Sequence, residues 1–432
     1  MSIQGILEPA EGRQPQELAL LLVAFLFVIL NAVALSLAVE GTLTLGHFWA
    51  PAVWAIMIGI CHWLLNRYRP KRDPLLLPIY ALLTGWGLLL VDRLAANFLA
   101  RQTLWMVIAT ATLVAIAIVP RDLSVLRRYR YSWLTLGLIL LVATLVFGVN
   151  PSGAGASLWL RLPLLSGVYF QPSELMKLLL VVFLASYFDE QLQLEPFRSR
   201  RHGRHRAAFL APLLLMWGFS IVLLVWQRDL GAATLFFVSF LTLLYIATGE
   251  WRYVLGGIFL VVAAGIIGYF TFDVVQLRVD AWWNPWPDAT DRAFQIVQSL
   301  YAIASGGLSG QGIGQGAPVY VPVVHSDFAF AAIAEEWGLI GGFTVLACFV
   351  LLGYRGLRTA ALCRRPFYTY LAAGVTIMLC VQAFLIMGGV VKVLPLTGVT
   401  LPFVSYGGSS LFISSLMIGL LLYLSARNTT DF

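Results

Sequence analysis

Residues 18–39 read LALLLVAFLFVILNAVALSLAV, an apolar run without one charged side chain. Wound into a helix rising about 1.5 Å per residue, it covers the roughly 30 Å of hydrocarbon in a bilayer. Small residues near its end, at Ala34-Leu35-Ser36 and Leu37-Ala38, raise the alternative of a cleaved signal segment. The run is long enough to span, and its flank carries Glu8, Glu11 and Glu17 against a single Arg13. It therefore reads as a retained membrane helix.

The rest of the chain repeats this pattern. Over 432 residues it is 60% hydrophobic and 11% charged, with a mean hydropathy of +0.85, values that no soluble chain of this length shows. Apolar stretches able to cross a membrane fall near 18–39, 48–65, 75–91, 102–119, 133–149, 171–188, 208–226, 232–248, 253–270, 328–354, 367–391 and 410–426. The expected fold is all-α and polytopic, with about twelve transmembrane helices and a large outer loop at 271–327. No internal repeat or low-complexity tract stands out. Cys61, Cys348 and Cys380 sit in apolar spans and Cys363 in an arginine-rich loop, so no disulfide framework is implied.

The net charge of +7 does not point to nucleic acid, because the basic residues gather in alternate loops. Arg67, Arg69, Lys71 and Arg72; Arg121, Arg127, Arg128 and Arg130; Arg198, Arg200, Arg201, Arg204 and Arg206; Arg252; and Arg355, Arg358, Arg364 and Arg365 all fall on one side, with Arg13 and Arg427. That bias marks the cytoplasmic face and puts both termini there, with tails at 1–17 and 427–432. The opposite face then holds residues 150–174, 271–327 and 392–409, and a short turn, Gln227-Arg228-Asp229-Leu230-Gly231.

Those outer segments carry the chemistry. Asp327, in His325-Ser326-Asp327, stands where a long polar stretch meets an apolar span, and an ionisable group held at such a boundary is a functional candidate. His325 either orients it or is a lone interfacial histidine. Glu335 and Glu336, counted along a helix starting at Asp327, would lie about 12 to 14 Å deeper, too far to share its proton, and read as polar contacts between helices. In Gln171-Pro172-Ser173-Glu174-Leu175-Met176-Lys177, proline starts a helix and Glu174 and Lys177 share a face. They form either a structural ion pair or part of a substrate site. Trp159 fits an interfacial belt, whereas Arg161, Arg228, Arg278, Arg292 and Lys392 break the charge bias and could attract a phosphate-bearing substrate. Residues 294–303 suggest an interfacial helix with Gln295, Gln298 and Ser299 on its polar side. The glycines of 305–314 lack the Lys-Ser or Lys-Thr ending and the preceding strand of a nucleotide-binding loop. Leu394 to Ser410, with Pro395, Pro402, Ser405, Gly407, Gly408 and Ser409, breaks regular structure at membrane depth and reads as a re-entrant cavity wall.

Together these pieces resemble the shape, elongation, division and sporulation (SEDS) family, the RodA/FtsW-like proteins. The resemblance rests on Phe170-Gln171-Pro172-Ser173-Glu174 with Lys177, on Gln298-Ser299 to Gly314, on His325-Ser326-Asp327-Phe328 with Ala334-Glu335-Glu336, and on Pro395 to Ser410. It runs in family order over about residues 150–426. It implies a ten-helix core with two extra helices ahead of it, both within residues 18–119, and the remainder of the core in 120–426. It also implies a peptidoglycan glycosyltransferase of the bacterial cytoplasmic membrane that polymerises lipid II into β-1,4 glycan strands on the outer face, for elongation or division. The family's essential acid falls on Asp327, its charged pair on Glu174 and Lys177, and its outer-loop tryptophan on Trp159. A class B penicillin-binding transpeptidase is the implied partner, beside lipid II and membrane lipids. One departure stands out: the family commonly has Gln-Pro-Asp-Leu-Gly where this chain has Arg228.

On this reading Asp327 is the base for the acceptor hydroxyl. The substrate-binding set is Trp159, Arg161, Glu174, Lys177, Gln298, Ser299, His325, Ser326, Lys392, Ser405, Gly407, Gly408 and Ser409. No acidic cluster at ligand spacing demands a metal, and a divalent cation (Mg or Mn) between Asp327 and a pyrophosphate stays open. A lipid flippase or transporter would also use buried charges and a broken helix, but near the midplane rather than at the outer boundary. A non-catalytic scaffold would leave Asp327 without a task.

Overall fold

The computed structural model describes residues 14–150, 157–161, 168–194 and 224–427, with single positions at 214, 218, 221 and 222. The helices are α1 (Gln14–Glu40), α2 (Trp49–Tyr68), α3 (Leu76–Leu94), α4 (Leu99–Ile118), α5 (Ser124–Arg128), α6 (Arg130–Phe147), α7 (Pro172–Leu194), α8 (Leu230–Thr248) and α9 (Trp251–Thr271). They continue with α10 (Asp273–Trp283), α11 (Phe294–Gly306), α12 (Ala329–Glu336), α13 (Gly338–Leu362), α14 (Pro366–Val390) and α15 (Gly408–Arg427). Among the described residues the only sheet is a hairpin of β1 (Leu160–Arg161) and β2 (Tyr169–Phe170), with Leu160 opposite Phe170.

The fold is all-α and polytopic. Ten of the described helices are long and apolar enough to cross a membrane. The span expected at 171–188 is the helix α7, which carries Glu174, Lys177, Asp189 and Glu190 and is therefore too charged to be counted with those ten. The span expected at 208–226 falls almost entirely outside the described residues, as does the basic loop 198–206. The span expected at 328–354 needs correction. It is two helices, α12 and α13, broken at Trp337 and Gly338, whose φ of +66° is left-handed.

That break has a steric cause. A Cβ at Gly338 would lie 2.3 Å from the amide nitrogen of Gly310, and one at Gly310 (φ +84°) would lie 2.2 Å from the carbonyl oxygen of Glu336. Backbone meets backbone here, which only glycine permits. Gly306 and Gly310 thus serve close packing on α12, with Gln311 N donating to Glu335 O (2.9 Å) and Gly312 N to Glu336 O (3.0 Å).

Helices α3, α14 and α15 lie at the centre, with 83%, 78% and 89% of their spans buried, while α9, at 11%, faces outward along nearly its whole length. A helix apolar all round and unburied by protein is one that meets lipid. The irregular segment 391–407 between α14 and α15 is buried at Leu401–Ser405. Several of its backbone groups find protein partners, among them Leu401 N, Tyr406 N, Thr397 O and Thr400 O, as irregular structure at membrane depth requires.

Candidate active site

Asp327 lies two residues ahead of α12, on a segment held to the re-entrant stretch. Tyr406 N donates to the carbonyl of His325 at 2.8 Å, and the Ser405 hydroxyl donates to the carbonyl of Ser326. Ser405 also accepts from Leu401 N at 3.0 Å, so one hydroxyl fixes both segments. Ser326 Oγ donates to Asp327 Oδ1 at 2.9 Å. The His325 ring packs against Phe98 and Tyr406, at centroid distances of 5.5 and 5.7 Å, and burial holds its pKa below the usual histidine value. A neutral imidazole wedged between aromatic rings places the segment rather than supplying charge.

Arg278, on α10, faces Asp327 across Gly398. A methyl at Gly398 (φ +71°) would stand 3.4 Å from Arg278 Nη2 and 3.8 Å from Asp327 Oδ2. Arg278 Nη1 also donates to Thr397 O at 3.1 Å. Burial pushes the Asp327 carboxyl up to about 6, with the Ser326 hydrogen bond and the Arg278 charge pulling the other way. Burial likewise lowers Arg278, against the attraction of Asp327 and Asp229.

Asp229 extends this line of charge. Its Oδ1 caps α8 by accepting from Ala232 N at 3.1 Å, and burial raises its pKa against that hydrogen bond and one from Ser173, with Glu174 raising it further and Lys177 lowering it. Glu174 and Lys177 are both buried and paired. Lys177 Nζ donates to Gln382 Oε1 at 2.7 Å, and Gln382 Nε2 donates to Thr400 O at 2.8 Å. The pair is thereby wired into the re-entrant wall. Arg228 adopts φ +61°, which the proline ring forbids, so the turn 227–231 has a shape that a proline at 228 could not take.

The other expected site residues scatter more widely. Ser409 Oγ accepts from Gln171 N at 3.0 Å, joining α15 to the start of α7. Gly407 N donates to Gln102 Oε1 at 3.4 Å, and at Gly408 the Trp105 indole occupies the place of a side chain. Trp159 pairs through its backbone with Val149, and Arg161 is exposed on β1. Lys392 Nζ donates to Trp283 O at 3.4 Å, at the end of α10. Gln298 is half-buried. Ser299, expected on a polar face, is fully buried on the core side of α11, its hydroxyl satisfied by Ile296 O at 2.8 Å.

Glu335 and Glu336 depart from the count along a helix beginning at Asp327, while the contact expected between helices is made by Glu336 with Arg93 of α3. The helix starts at Ala329, not Asp327, and ends at Glu336. Both carboxylates turn onto the loop before it: Ala317 N donates to Glu335 Oε1 (2.8 Å), while Gly314 N and Arg93 Nε donate to Glu336 Oε1 (both 3.1 Å). Sequence reasoning named Arg278 only as one of several outer cations and missed Gln382 and Gly398. The polar Gln382 in the charge-free run 367–391 was the available signal. A cavity of about 480 Å³ lies along α10, lined by Asp273, Gln276, Asp280, Asn284, Asp288 and Arg292 among others, and does not include Asp327. Among the described residues no three His, Cys, Asp or Glu side chains are grouped to hold a metal.

What this arrangement offers is one carboxylate, raised to near-neutral pKa, beside a guanidinium and against an irregular backbone wall. The model of the cell cycle protein family of FtsW, RodA and SpoVE matches residues 75–430. The peptidoglycan glycosyltransferase RodA of Mycobacterium bovis is 37% identical over 390 residues, covering 85% of this chain and 81% of its own. A probable peptidoglycan glycosyltransferase FtsW of Geobacter metallireducens is 34% identical over 332 residues, covering 76% and 85%. Among solved structures, a chain of a peptidoglycan synthase complex that coordinates polymerization and crosslinking superposes with a TM-score of 0.69 at 26% identity, over 83% of this chain and 99% of that one. The rod shape determining protein RodA of Thermus thermophilus gives 0.59 at 26% identity, over 83% and 98%. This chain belongs to the cell cycle protein family of FtsW, RodA and SpoVE.

Proposed function

We propose that this chain is an inverting peptidoglycan glycosyltransferase that polymerises lipid II, with Asp327 as the general base. The observation that carries the reading is Asp327 itself: a partly buried carboxyl with a pKa near 6, facing a guanidinium. A base works best when its pKa lies near the operating pH. Asp327 takes the proton of the acceptor 4-hydroxyl as that oxygen attacks the donor anomeric carbon. The bond to the lipid pyrophosphate breaks on the opposite face, so an α-linked donor yields a β-1,4 bond. Arg278 answers the negative charge gathering on the departing pyrophosphate. The segment 397–410 forms the wall, and Glu174, Lys177 and Gln382 keep that wall in place.

The same reading puts the chain in the bacterial cytoplasmic membrane with both termini inside and Asp327 facing out, in keeping with the basic loops. A class B penicillin-binding transpeptidase is its partner, a reading supported by the likeness to a chain of a peptidoglycan synthase complex. Asp327→Asn keeps the size of the side chain and removes its basicity. Glycan polymerisation from labelled lipid II by the purified protein should fall by about 100- to 10,000-fold, with thermal stability retained. Near-normal polymer from a folded Asp327→Asn protein would end the assignment. A divalent cation, if held by Asp327, would offset the pyrophosphate charge as an alternative chemistry, and loss of activity on chelation would favour it.

A further inference from the structure

Helices α1 and α2 lie ahead of the residues the family model matches, yet α1 reaches the segment that carries Asp327. Asn31 is one of two polar residues in the run 18–39. Its Oδ1 accepts the Trp337 Nε1 proton at 2.9 Å. Trp337 stands at the break between α12 and α13, and its ring meets Trp86 of α3 edge-on at 5.3 Å, which in turn packs on Phe27 of α1 at 4.7 Å. The loop 310–317 rests on the same helix: a methyl at Gly314 (φ +77°) would stand 2.9 Å from the Ala38 methyl. Arg93 Nη2 donates to Gly316 O at 3.0 Å.

The hairpin is itself anchored at both ends. Glu17 takes hydrogen bonds from His62 (2.8 Å) and Arg72 (2.5 Å) at one end, and His47 Nδ1 meets Asp92 Oδ2 at 2.8 Å at the other. Trp54 of α2 donates to Thr84 of α3 at 3.2 Å. α1 therefore presents Asn31 from a fixed position.

Helix α12 is eight residues long, too short to hold an orientation by its own hydrogen bonds. Asp327 lies off its first end and Trp337 off its last. The first end is tied to the re-entrant wall; the second is tied to α1 and α3. We propose that the α1–α2 hairpin is a positioning element for Asp327, acting through the Asn31–Trp337 hydrogen bond to set the angle of α12. Asn31 and Trp337 are positioning residues and touch no reacting atom.

This inference rests on Asp327 being the base. The test uses the full chain with lipid II and compares Asn31→Ala, Trp337→Phe and the double variant. Trp337→Phe keeps an aromatic ring beside Trp86 while removing the donor together with part of the indole, so it carries the test if Asn31→Ala does not fold. Each single change should lower kcat per folded molecule by about three- to tenfold while KM stays within about twofold, because a misplaced base costs rate rather than binding. The double variant should be no slower than the slower single, since both remove one bond. Wild-type kcat in the folded singles, or losses that multiply in the double, would overturn the proposal. An active Asp327→Asn protein would instead overturn the base, whatever the other variants do.

Discussion

The segment 306–338 and the helices α9–α10 contribute one charged group each to the same site, and they are held very differently. The first is tied at every turn, by backbone bonds to α12, by the carboxylates of Glu335 and Glu336 and by Arg93. The second presents an outward-facing helix, with 11% of its span buried. α10 is attached to the wall by Arg278 to Thr397 O (3.1 Å), Trp282 Nε1 to Lys392 O (3.2 Å) and Lys392 to Trp283 O. Asp327 thus sits on the fixed side and Arg278 on the loosely held side. The base sits in a densely tied segment; its cation sits on α10, which follows a lipid-facing helix and meets the wall through these three bonds. A site assembled across such a seam can vary the distance between its charges without disturbing the core.

The largest effect is expected behind the wall that both regions meet, at the ion pair of α7. Lys177→Met leaves Glu174 as an uncompensated buried charge and should lower stability by about 3–5 kcal/mol, with part recovered when Glu174→Gln is added. A double-mutant cycle on thermal unfolding reads this directly, and additive losses would mean that each charge answers a separate partner.

On the loose side, Arg278→Ala should reduce polymerisation by about a hundredfold while leaving the fold stable. It should also move the pH profile. Asp327 works as the anion, so rate is full above its pKa and is lost as pH falls through a value near 6. The Arg278 charge lowers that pKa, so its removal raises it and shifts the acid limb to higher pH. A limb that stays in place, or moves down, would separate Arg278 from Asp327.

The smallest effect is a contrast in motion. Amides of α10, which lies outside the spans, should exchange hydrogen faster than those of α12 and the loop 310–317 in the same membrane preparation. Equal protection would dissolve the comparison between the two regions.

Much of this was legible in the sequence, because the bilayer imposes a length and an apolar character that each span must meet. Asp327 was legible for the same reason, as an acid at the edge of an apolar run. The wall at 394–410 betrayed itself through Pro395, Pro402 and paired glycines. Less legible was whatever depends on two distant segments meeting. Arg278 gains its meaning from Gly398, which leaves the space between guanidinium and carboxylate open. Ser299 looked polar by spacing, but its hydroxyl bonds back to its own helix and the residue is buried. The break at Gly338 hid inside an apolar stretch, since its cause is the backbone at Gly310. Two of the twelve expected spans stand apart from the ten: α7, whose four charges mask it, and 208–226, which falls almost entirely outside the described residues.

The charged helix α7 has a consequence for how the chain is made. Standing alone in hydrocarbon, a helix with Glu174, Lys177, Asp189 and Glu190 would insert poorly. Its partners arrive in sequence order. Glu174 and Lys177 neutralise each other within the helix, while Arg127 meets Asp189 at 2.9 Å and Arg130 meets Glu190, and both arginines have been synthesised before the helix emerges. Only Gln382, the second partner of Lys177, lies two hundred residues downstream. A ribosome feeding this chain into a membrane therefore delivers α7 already discharged at both ends. It leaves one lysine proton waiting for α14, so that the arrival of this late helix also ties α7 to the wall behind the site.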